Sequence, residues 1–179
     1  MKPIKLLIPV ILIFSCACQS DRRSPKDEKS ADDFNFEKEK QAILDVIQKE
    51  STAFWNKDFE AYASCWVHAD YTRSEGWWKQ GGISVVEGWK TNAENTKKMM
   101  KESPDPNPTA SRVRRKNINI RIYNDVAWLT FDQYGEDTGD PSMDMPGRSR
   151  ETRILEKHDG QWKIVYVCWL LEDRTPETE

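Results

Sequence analysis

His68 and Asp70 are the residues of this sequence whose types and spacing most directly suggest chemistry. An imidazole and a carboxylate two residues apart, in a segment predicted to link a helix to a strand, can meet at the mouth of a pocket and transfer protons there. An ordinary capping or surface hydrogen bond would use the same two residues. His68 and His158 are the only histidines, and no closely spaced set of histidine, cysteine and carboxylate residues surrounds them, so a zinc or iron site is poorly supported and no cofactor is expected.

Glu151 and Arg153 form a second polar pair, two residues apart in a segment that reads as a strand. Side chains at this spacing share one face of a strand. The pair could therefore hold a polar ligand, or it could form an ion pair within the sheet. The sequence leaves both interpretations open.

Aromatic side chains are the third set of candidates, since the chain contains eight tryptophans. Trp77 and Trp78 are adjacent in a predicted strand and must face opposite sides, so one of them is expected to line a pocket or an interface. We expect an aromatic-walled cavity suited to a small, partly apolar ligand. The residues assigned to ligand binding are Trp55, Tyr71, Trp77, Trp89, Trp128, Tyr134 and Arg153.

Two cysteines fall in the predicted domain. Cys65 lies on a predicted helix and Cys168 on the last predicted strand. Neither has neighbours that would activate a nucleophile, so two separate buried thiols are expected. A disulfide between them is left open, because it would require a close approach that sequence does not reveal.

Three helices are predicted to position these residues. Apolar residues recur on one helical face from about Phe36 to Trp55, and again in a short segment from Phe59 to Trp66. Asp58 is well placed to cap the second helix. A third helix is predicted from about Gly88 to Lys101, and the proline-rich residues 103–108 end it.

The remaining elements are predicted strands. Isoleucines alternate with polar residues at Ile118, Ile120 and Ile122, so one face of that strand should be apolar. Asp159-Gly160 is a tight-turn dipeptide and predicts a closing hairpin. Together with three helices, this antiparallel meander predicts an α+β domain with helices on one face of a curved antiparallel sheet. The predicted strands are Tyr71–Trp78, Gly82–Val86, Val113–Tyr123, Val126–Tyr134 and the two halves of Arg150–Leu170.

Residues 1–16 are interpreted as an export signal, because two lysines precede the apolar run Leu6–Phe14. The run is shorter than the roughly 20 residues that span a bilayer. The cysteine after the run resembles the lipobox of bacterial lipoproteins, in which that cysteine is lipidated. Cys16 is predicted to carry the lipid, with Cys18 as the alternative and a plain cleaved signal as another. The protein is then expected to be exported and lipid-anchored to the bacterial cell envelope, on the periplasmic or the surface face of the outer membrane.

The rest of the chain divides by composition. Residues 17–33 contain no large apolar side chain and are predicted to be a flexible tether. Residues 34–173 form the predicted domain, and 174–179 a disordered tail. Without the signal, 25 of the 27 basic residues remain against 30 acidic ones, a balance that gives no electrostatic support for binding nucleic acid.

The segments WVHADYTRSEGWW, NDVAWLTF and ETRILEKHDGQWKIV together resemble the NTF2-like superfamily, specifically its SnoaL-like and DUF4440-type members. The resemblance covers about residues 34–173. It implies a cone in which a strongly bent sheet wraps around a long helix, a pocket between them, and often a dimer built through the sheet. Isomerases, dehydratases and cyclases share this fold with domains that catalyse nothing, so the fold does not define the function.

The resemblance also implies a catalytic base. In steroid-isomerase members an acidic base follows the second helix, and Glu75 falls at that place. Ser51 and about Thr152 stand where that subfamily has its oxyanion-stabilising Tyr and Asp, so its full mechanism is not expected here. Glu75, His68 and Asp70 are the candidate catalytic residues.

Two functions follow from these observations. The first is a membrane-tethered, non-catalytic module, expected to be a homodimer, that binds a small molecule or a partner. The alternative is a cofactor-independent acid–base enzyme of the isomerase, dehydratase or cyclase type.

Overall fold

The computed structural model describes residues 34–79, 81–106, 113–134 and 148–172. The predicted signal, the lipidation candidates Cys16 and Cys18, the tether and the tail lie outside these residues. Within the described ranges, no helix combines the length and the apolar character that crossing a membrane requires.

The three helices of the described ranges follow the predicted apolar periodicity. Helix α1 spans Phe36–Trp55, α2 spans Phe59–Ser64 and α3 spans Trp89–Glu102. The bounds of α1 are those predicted. Asp58 caps α2, as predicted, because its side chain accepts a hydrogen bond from the Ala61 backbone N–H at 3.0 Å.

The described residues contain six strands: β1 (Arg73–Trp78), β2 (Gly82–Glu87), β3 (Arg114–Tyr123), β4 (Val126–Tyr134), β5 (Arg148–His158) and β6 (Gln161–Leu171). They form one mixed sheet, in the order β2-β1-β6-β5-β4-β3. Every neighbouring pair is antiparallel except β1 and β6, which pair in parallel. The sheet was predicted to be antiparallel throughout, and that detail is wrong at this pair, because the chain returns to β1 in the last strand through a long connection and not through a hairpin. The predicted turn Asp159-Gly160 joins β5 to β6 with φ values of 51° and 77°. The α+β prediction is therefore confirmed.

The sheet has one face that packs against α1 and one that faces away. Leu129, Leu155 and Ile164 lie on the packed face and form the core with Ile43 and Ile47 of α1. Burying one such aliphatic side chain stabilises the fold by about 1.5–3 kcal/mol. We call this side of the sheet the inner face and the opposite side the outer face. Residues alternate between them along each strand, except where the register shifts in β3 and in β6.

Strand β3 contains one extra residue opposite β4. Its register shifts between Lys116 and Asn119, and Asn117 adopts a φ of 55° within the shifted segment. Beyond the shift, Arg115 pairs with Gln133, whose side chain is buried on the inner face. Without the extra residue, alternation would have placed Arg115 on the outer face.

The same irregularity interrupts the predicted isoleucine stripe. Ile120 is buried and Ile122 is half-buried, but Ile118 is 37% exposed. The prediction of one continuous apolar face is wrong at Ile118, because the extra residue breaks the alternation next to it.

Candidate functional site

Four charged side chains meet on the inner face of the sheet. Glu50 comes from α1, Arg115 from β3, and Glu151 and Arg153 from β5. The exposed fraction of Glu50, Glu151 and Arg153 is 5–7%, and Arg115 is half-buried. We call these four residues the interior charge cluster. Charged side chains are almost never fully buried unless they are paired, so this cluster requires a structural or functional reason.

Helical periodicity places Glu50 in the cluster. Ile43, Ile47 and Glu50 follow one another at spacings of four and three residues, which put them on one face of α1. Both isoleucines are fully buried. A carboxylate therefore occupies a position on the apolar stripe of the helix.

Glu151 and Arg153 share the inner face of β5 and form an ion pair. Arg153 Nη2 lies 2.9 Å from Glu151 Oε2, and Arg153 Nη1 lies 3.7 Å from Glu50 Oε2. Ser149 Oγ donates a hydrogen bond to Glu151 Oε1 at 2.7 Å. The predicted ion pair within the sheet, between Glu151 and Arg153, is thus confirmed. The distance from Arg153 Nη1 to Glu50 Oε2 is too long for a hydrogen bond.

Arg115 approaches α1 from the side of β3. Its Nη1 donates to Gln48 Oε1 at 2.6 Å and its Nη2 to Ser51 Oγ at 2.8 Å. Ser51 Oγ in turn lies 3.5 Å from Glu50 Oε2. The guanidinium carbon lies 5.6 Å from the ring centroid of Phe131, within the range of a cation–π interaction. These contacts hold the guanidinium group between the helix and the sheet.

The cluster contains guanidinium donors that lack partners. Within the described residues, Arg115 Nε, Arg153 Nε and Arg153 Nη1 are buried and make no hydrogen bond. Glu151 Oε2 is also without one, because its contact with Arg153 Nη2 is short but not aligned as a hydrogen bond. An unpaired buried polar group costs about 1–3 kcal/mol, and more when it is charged. The arrangement favours a molecule that brings hydrogen-bond acceptors to the guanidinium groups.

Burial and mutual charge shift the proton equilibria of the cluster. Burial raises the pKa of the Glu50 carboxyl; Arg153 opposes this shift and Glu151 adds to it. Burial, together with the positive charge of Arg153, lowers the pKa of Arg115 to about 10. Burial alone would also lower the pKa of Arg153, but the charges of Glu151 and Glu50 outweigh it and raise that pKa. Glu50 therefore binds a proton at higher pH than an exposed glutamate does.

Glu75, the predicted base, lies on the opposite side of the sheet from this cluster. Its neighbour Gly76 pairs with Trp169 and faces the Trp169 ring on the inner side, so Glu75 points to the outer face. There it accepts a hydrogen bond from Tyr166 Oη at 3.0 Å. Burial and this bond raise the pKa of Tyr166.

His68 and Asp70 also lie outside the cluster. The His68 ring stacks on Trp89 with ring centroids 4.2 Å apart, and its Nε2 donates to the Ala63 carbonyl at 2.9 Å. Asp70 is exposed. In the described part of the chain, no hydrogen bond or ion pair joins any two of Glu75, His68 and Asp70.

Three of the predicted ligand-binding aromatics lie at the surface. Trp77 and Trp128 occupy exposed positions on the outer face, and Tyr71 donates to Glu156 Oε2 at 2.8 Å. Trp78, adjacent to Trp77, is the member of that pair that faces inward, where its ring stacks on that of Trp169 with centroids 5.6 Å apart.

The other four predicted ligand-binding residues lie in four separate places. Trp55 packs against Phe54 at the end of α1, and Trp89 belongs to the aromatic group around His68. Tyr134 is the last residue of β4. Arg153 is the predicted binding residue that the structure places in the interior charge cluster.

Two cavities flank α1. One, of about 380 Å³, lies between α1 and α2, and its lining includes Gln48, the residue that accepts a hydrogen bond from Arg115. The other, of about 440 Å³, lies between α1 and the β5–β6 turn and includes Glu39 and Trp162. Neither cavity is lined by the aromatic residues that were predicted to bind a ligand, so an aromatic-walled cavity stays a prediction.

The structure describes no metal site and no disulfide. In residues 34–79, 81–106, 113–134 and 148–172, no group of three or more His, Cys, Asp or Glu side chains is arranged to hold a metal. Cys65 and Cys168 are free thiols, and burial raises the pKa of Cys65.

Sequence reasoning missed Glu50 and Arg115. Glu50 carried a usable signal, because it is a carboxylate at the next core position after Ile43 and Ile47. Arg115 carried none, since its inward orientation depends on the extra residue in β3.

Comparison with known proteins agrees with this architecture. The family described as SnoaL-like domain matches residues 43–168. Among solved structures, an NTF-2-like protein of unknown function from Shewanella oneidensis is similar with a TM-score of 0.54 and 17% identity, over 74% of this chain and 98% of its own. A proposed ketosteroid isomerase from Parabacteroides distasonis has a TM-score of 0.54 and 15% identity, over 74% and 86%.

A third solved structure carries a different functional description on the same fold. It is a proposed calcium/calmodulin-dependent protein kinase type II association domain from Thiobacillus denitrificans, with a TM-score of 0.55 and 13% identity, over 72% of this chain and 93% of its own. At such identities the likeness shows the fold alone. No curated protein matches the chain. Because the family match spans well over half of the chain and the solved structures share its architecture, this protein belongs to the SnoaL-like domain family and has the NTF2-like fold.

Proposed function

We propose that this SnoaL-like domain binds a small molecule on the inner face of its sheet, through an acceptor group held by Arg115 and Arg153. The observation that carries the proposal is the buried Arg153 guanidinium, whose Nε and Nη1 have no hydrogen-bond partner within the described residues. Glu151 holds Arg153, while Gln48 and Ser51 hold Arg115. Donors fixed in this way lose little freedom on binding, which favours affinity.

The surroundings of the cluster suit a ligand with an apolar body. Across the sheet, Leu129 and Val167 pair with Arg153, and Phe131 pairs with Glu151. Small-molecule sites combine a mainly apolar lining with a few polar groups that fix orientation. Such binding requires no catalysis, as expected for the non-catalytic module.

Isothermal titration calorimetry on the purified full-length protein tests this proposal, with benzoate, acetate and their neutral amides as probes. Arg115→Gln should weaken the binding of a probe about 10- to 100-fold, since a charged hydrogen bond contributes about 1.5–3 kcal/mol. Arg114→Gln is the matched control, because it removes the same charge from the exposed neighbouring position. Equal losses in both variants, or a protein that binds none of the probes, would contradict the proposal.

One observation favours a second function, that of an acid–base enzyme. Burial raises the pKa of Glu50 beside two guanidinium groups. A carboxyl of this kind suits general acid–base catalysis, and the guanidinium groups could stabilise an enolate oxygen. Glu50 would then hold the role that the sequence interpretation gave to Glu75, His68 and Asp70.

Hydrogen–deuterium exchange at carbon α to a carbonyl, followed by NMR over a panel of carbonyl compounds, tests the second function. Glu50→Gln should slow any catalysed exchange by about 10²- to 10⁴-fold. Glu75→Gln and His68→Gln should leave it unchanged. The opposite pattern would return the catalytic role to the sequence-based candidates.

We further propose that the protein is exported and anchored by a lipid on Cys16. The proposal is supported by the basic residues, the apolar run and the cysteine in residues 1–16. Cys16→Ala should release the protein from the membrane fraction, whereas Cys18→Ala should not. Release by Cys18→Ala alone would move the anchor to that residue.

We also propose that two copies pair through the outer face. Large apolar side chains are exposed there on both edges and in the centre of the sheet, and exposed patches of this kind mark interaction surfaces. Light scattering with size exclusion should give a dimer, and Val85→Lys combined with Leu170→Lys should give a monomer. Phe36→Lys on α1 is the control. The exposed outer-face residues include Trp77, Ile83, Val85, Tyr123, Val126, Trp128 and Leu170.

A further inference from the structure

An additional negative charge in the interior charge cluster would have no positive charge to compensate it. With both carboxyls ionised, Glu50 and Glu151 balance Arg115 and Arg153, so the cluster carries no net charge. An anion bound to the guanidinium groups would leave one uncompensated negative charge in a site from which water is largely excluded. Uncompensated buried charge is costly, and proteins relieve it by changing a protonation state.

We infer that this site binds a carboxylate monoanion together with one proton, and that Glu50 is the residue that takes up the proton. The inference rests on the proposed binding function and specifies the chemical class of its ligand. Carboxylate fits because its two oxygens match the planar fork of a guanidinium group.

Geometry separates the two carboxyls of the cluster. Glu151 is held at both oxygens, by a hydrogen bond from Ser149 Oγ at 2.7 Å and by the ion-pair contact with Arg153 Nη2 at 2.9 Å. Glu50 faces Arg153 Nη1 at 3.7 Å without a hydrogen bond. A ligand oxygen can therefore replace Glu50 as the partner of Nη1 while the Glu151 pair stays intact.

The groups that face Glu50 leave it as the proton acceptor. They are Arg153 and Glu151 from β5, Arg115 from β3 and Tyr62 from α2. Burial raises the pKa of Tyr62, so its hydroxyl stays neutral. The two arginines are already protonated. Burial of Glu50 also favours its neutral form, which agrees with the geometry.

From α3 and from α1 itself, the nearby groups are uncharged. Asn92 Nδ2 of α3 donates a hydrogen bond to Tyr62 Oη at 3.4 Å, and Tyr62 Oη donates one to Asn92 Oδ1 at 3.5 Å. Ser51 of α1 lies 3.5 Å from Glu50 Oε2. A protonated Glu50 can donate its O–H to Ser51 Oγ or to the second oxygen of the ligand, so the neutral form also finds a partner.

Calorimetry of the full-length protein with sodium benzoate tests the inference, in two buffers of different ionisation enthalpy and between about pH 5 and pH 8. The difference in heat between the buffers counts the protons taken up. We expect the uptake to rise toward one proton per benzoate as the pH increases. Affinity should then fall about tenfold per pH unit above the pKa of Glu50 in the free protein.

Glu50→Gln provides the second measurement. It should bind benzoate without proton uptake and with a pH-independent affinity that exceeds the wild-type affinity at the alkaline end. Benzamide should bind more weakly and without proton uptake in either protein. Binding of benzoate by the wild type without uptake, or uptake that persists in Glu50→Gln, would overturn the inference while leaving the proposed function intact. If the protein bound no carboxylate at all, both the inference and the proposed binding function would be contradicted.

Discussion

Glu39 and Glu50 are two glutamates on one side of α1, eleven residues or about three turns apart, in opposite environments. Glu39 accepts hydrogen bonds from Lys157 Nζ at 2.7 Å and from Trp162 Nε1 at 2.6 Å. Both hydrogen bonds lower the pKa of Glu39, and the bond from Lys157 contributes more than the bond from Trp162. Glu50 has no cation closer than Arg153 Nη1 at 3.7 Å within the described residues, and burial raises its pKa.

Partners, and not residue type, separate a structural carboxylate from one suited to function. Glu39 joins the first turn of α1 to the closing hairpin and leaves nothing for a ligand to satisfy. Glu50 sits among donors that lack acceptors, where an incoming molecule can change both the hydrogen bonding and the protonation state. Three substitutions test this distinction.

Arg153→Met should have the largest effect. It leaves Glu151 and Glu50 buried without their nearest cation, and breaking a buried ion pair costs about 3–5 kcal/mol. The free energy of unfolding, measured with urea at neutral pH, reports the loss. Arg150→Met is the matched control on the same strand, since Arg150 is exposed and its surface ion pairs contribute about 0–1 kcal/mol. Similar losses in both variants would show that the cluster is not electrostatically distinct.

Glu39→Gln should have an intermediate effect of about 1–2 kcal/mol, because it weakens two charge-assisted hydrogen bonds at a partly exposed site. The folded-state pKa of Glu39 is lowered, so its contribution is present above the unfolded-state pKa and is lost as the pH falls through the folded-state value. Urea unfolding at acidic and neutral pH measures this change. Glu37→Gln, in the same turn, removes an exposed ion pair with Lys40 and should cost about 0–0.5 kcal/mol. A cost that stays constant down to acidic pH would contradict the assignment.

Glu50→Gln should have the smallest effect at acidic pH, within about 1 kcal/mol of the wild type. The folded-state pKa of Glu50 is raised, so the wild type loses stability as the pH rises from the unfolded-state pKa through the folded-state value. The variant lacks this loss, so its free energy of unfolding should rise relative to that of the wild type as the pH increases. Its pH dependence has the opposite sign to that of Glu39→Gln, and the same sign in both variants would contradict the different environments assigned to Glu39 and Glu50.

Local patterns predicted most of the elements. The apolar periodicity of α1, the strand Val126–Tyr134 and the Asp159-Gly160 turn depend on neighbouring residues, and the structure has them where they were predicted. The site was predicted less well. Arg153 was predicted to be a binding residue, and strand alternation placed it on the same face as Glu151. That alternation did not indicate that Glu50 and Arg115 would lie beside them.

Sequence alone determined the helix and strand positions, the capping of α2, the closing turn and the resemblance to the family, because each depends on residues that are close along the chain. Only the tertiary structure decided which charges share the interior. Arg115 reaches Ser51 across 64 residues of sequence, and it does so because one extra residue in β3 turns its side chain inward. The pKa of Glu50 depends on burial and on charges brought from β3 and β5, and these arise only when the chain is packed.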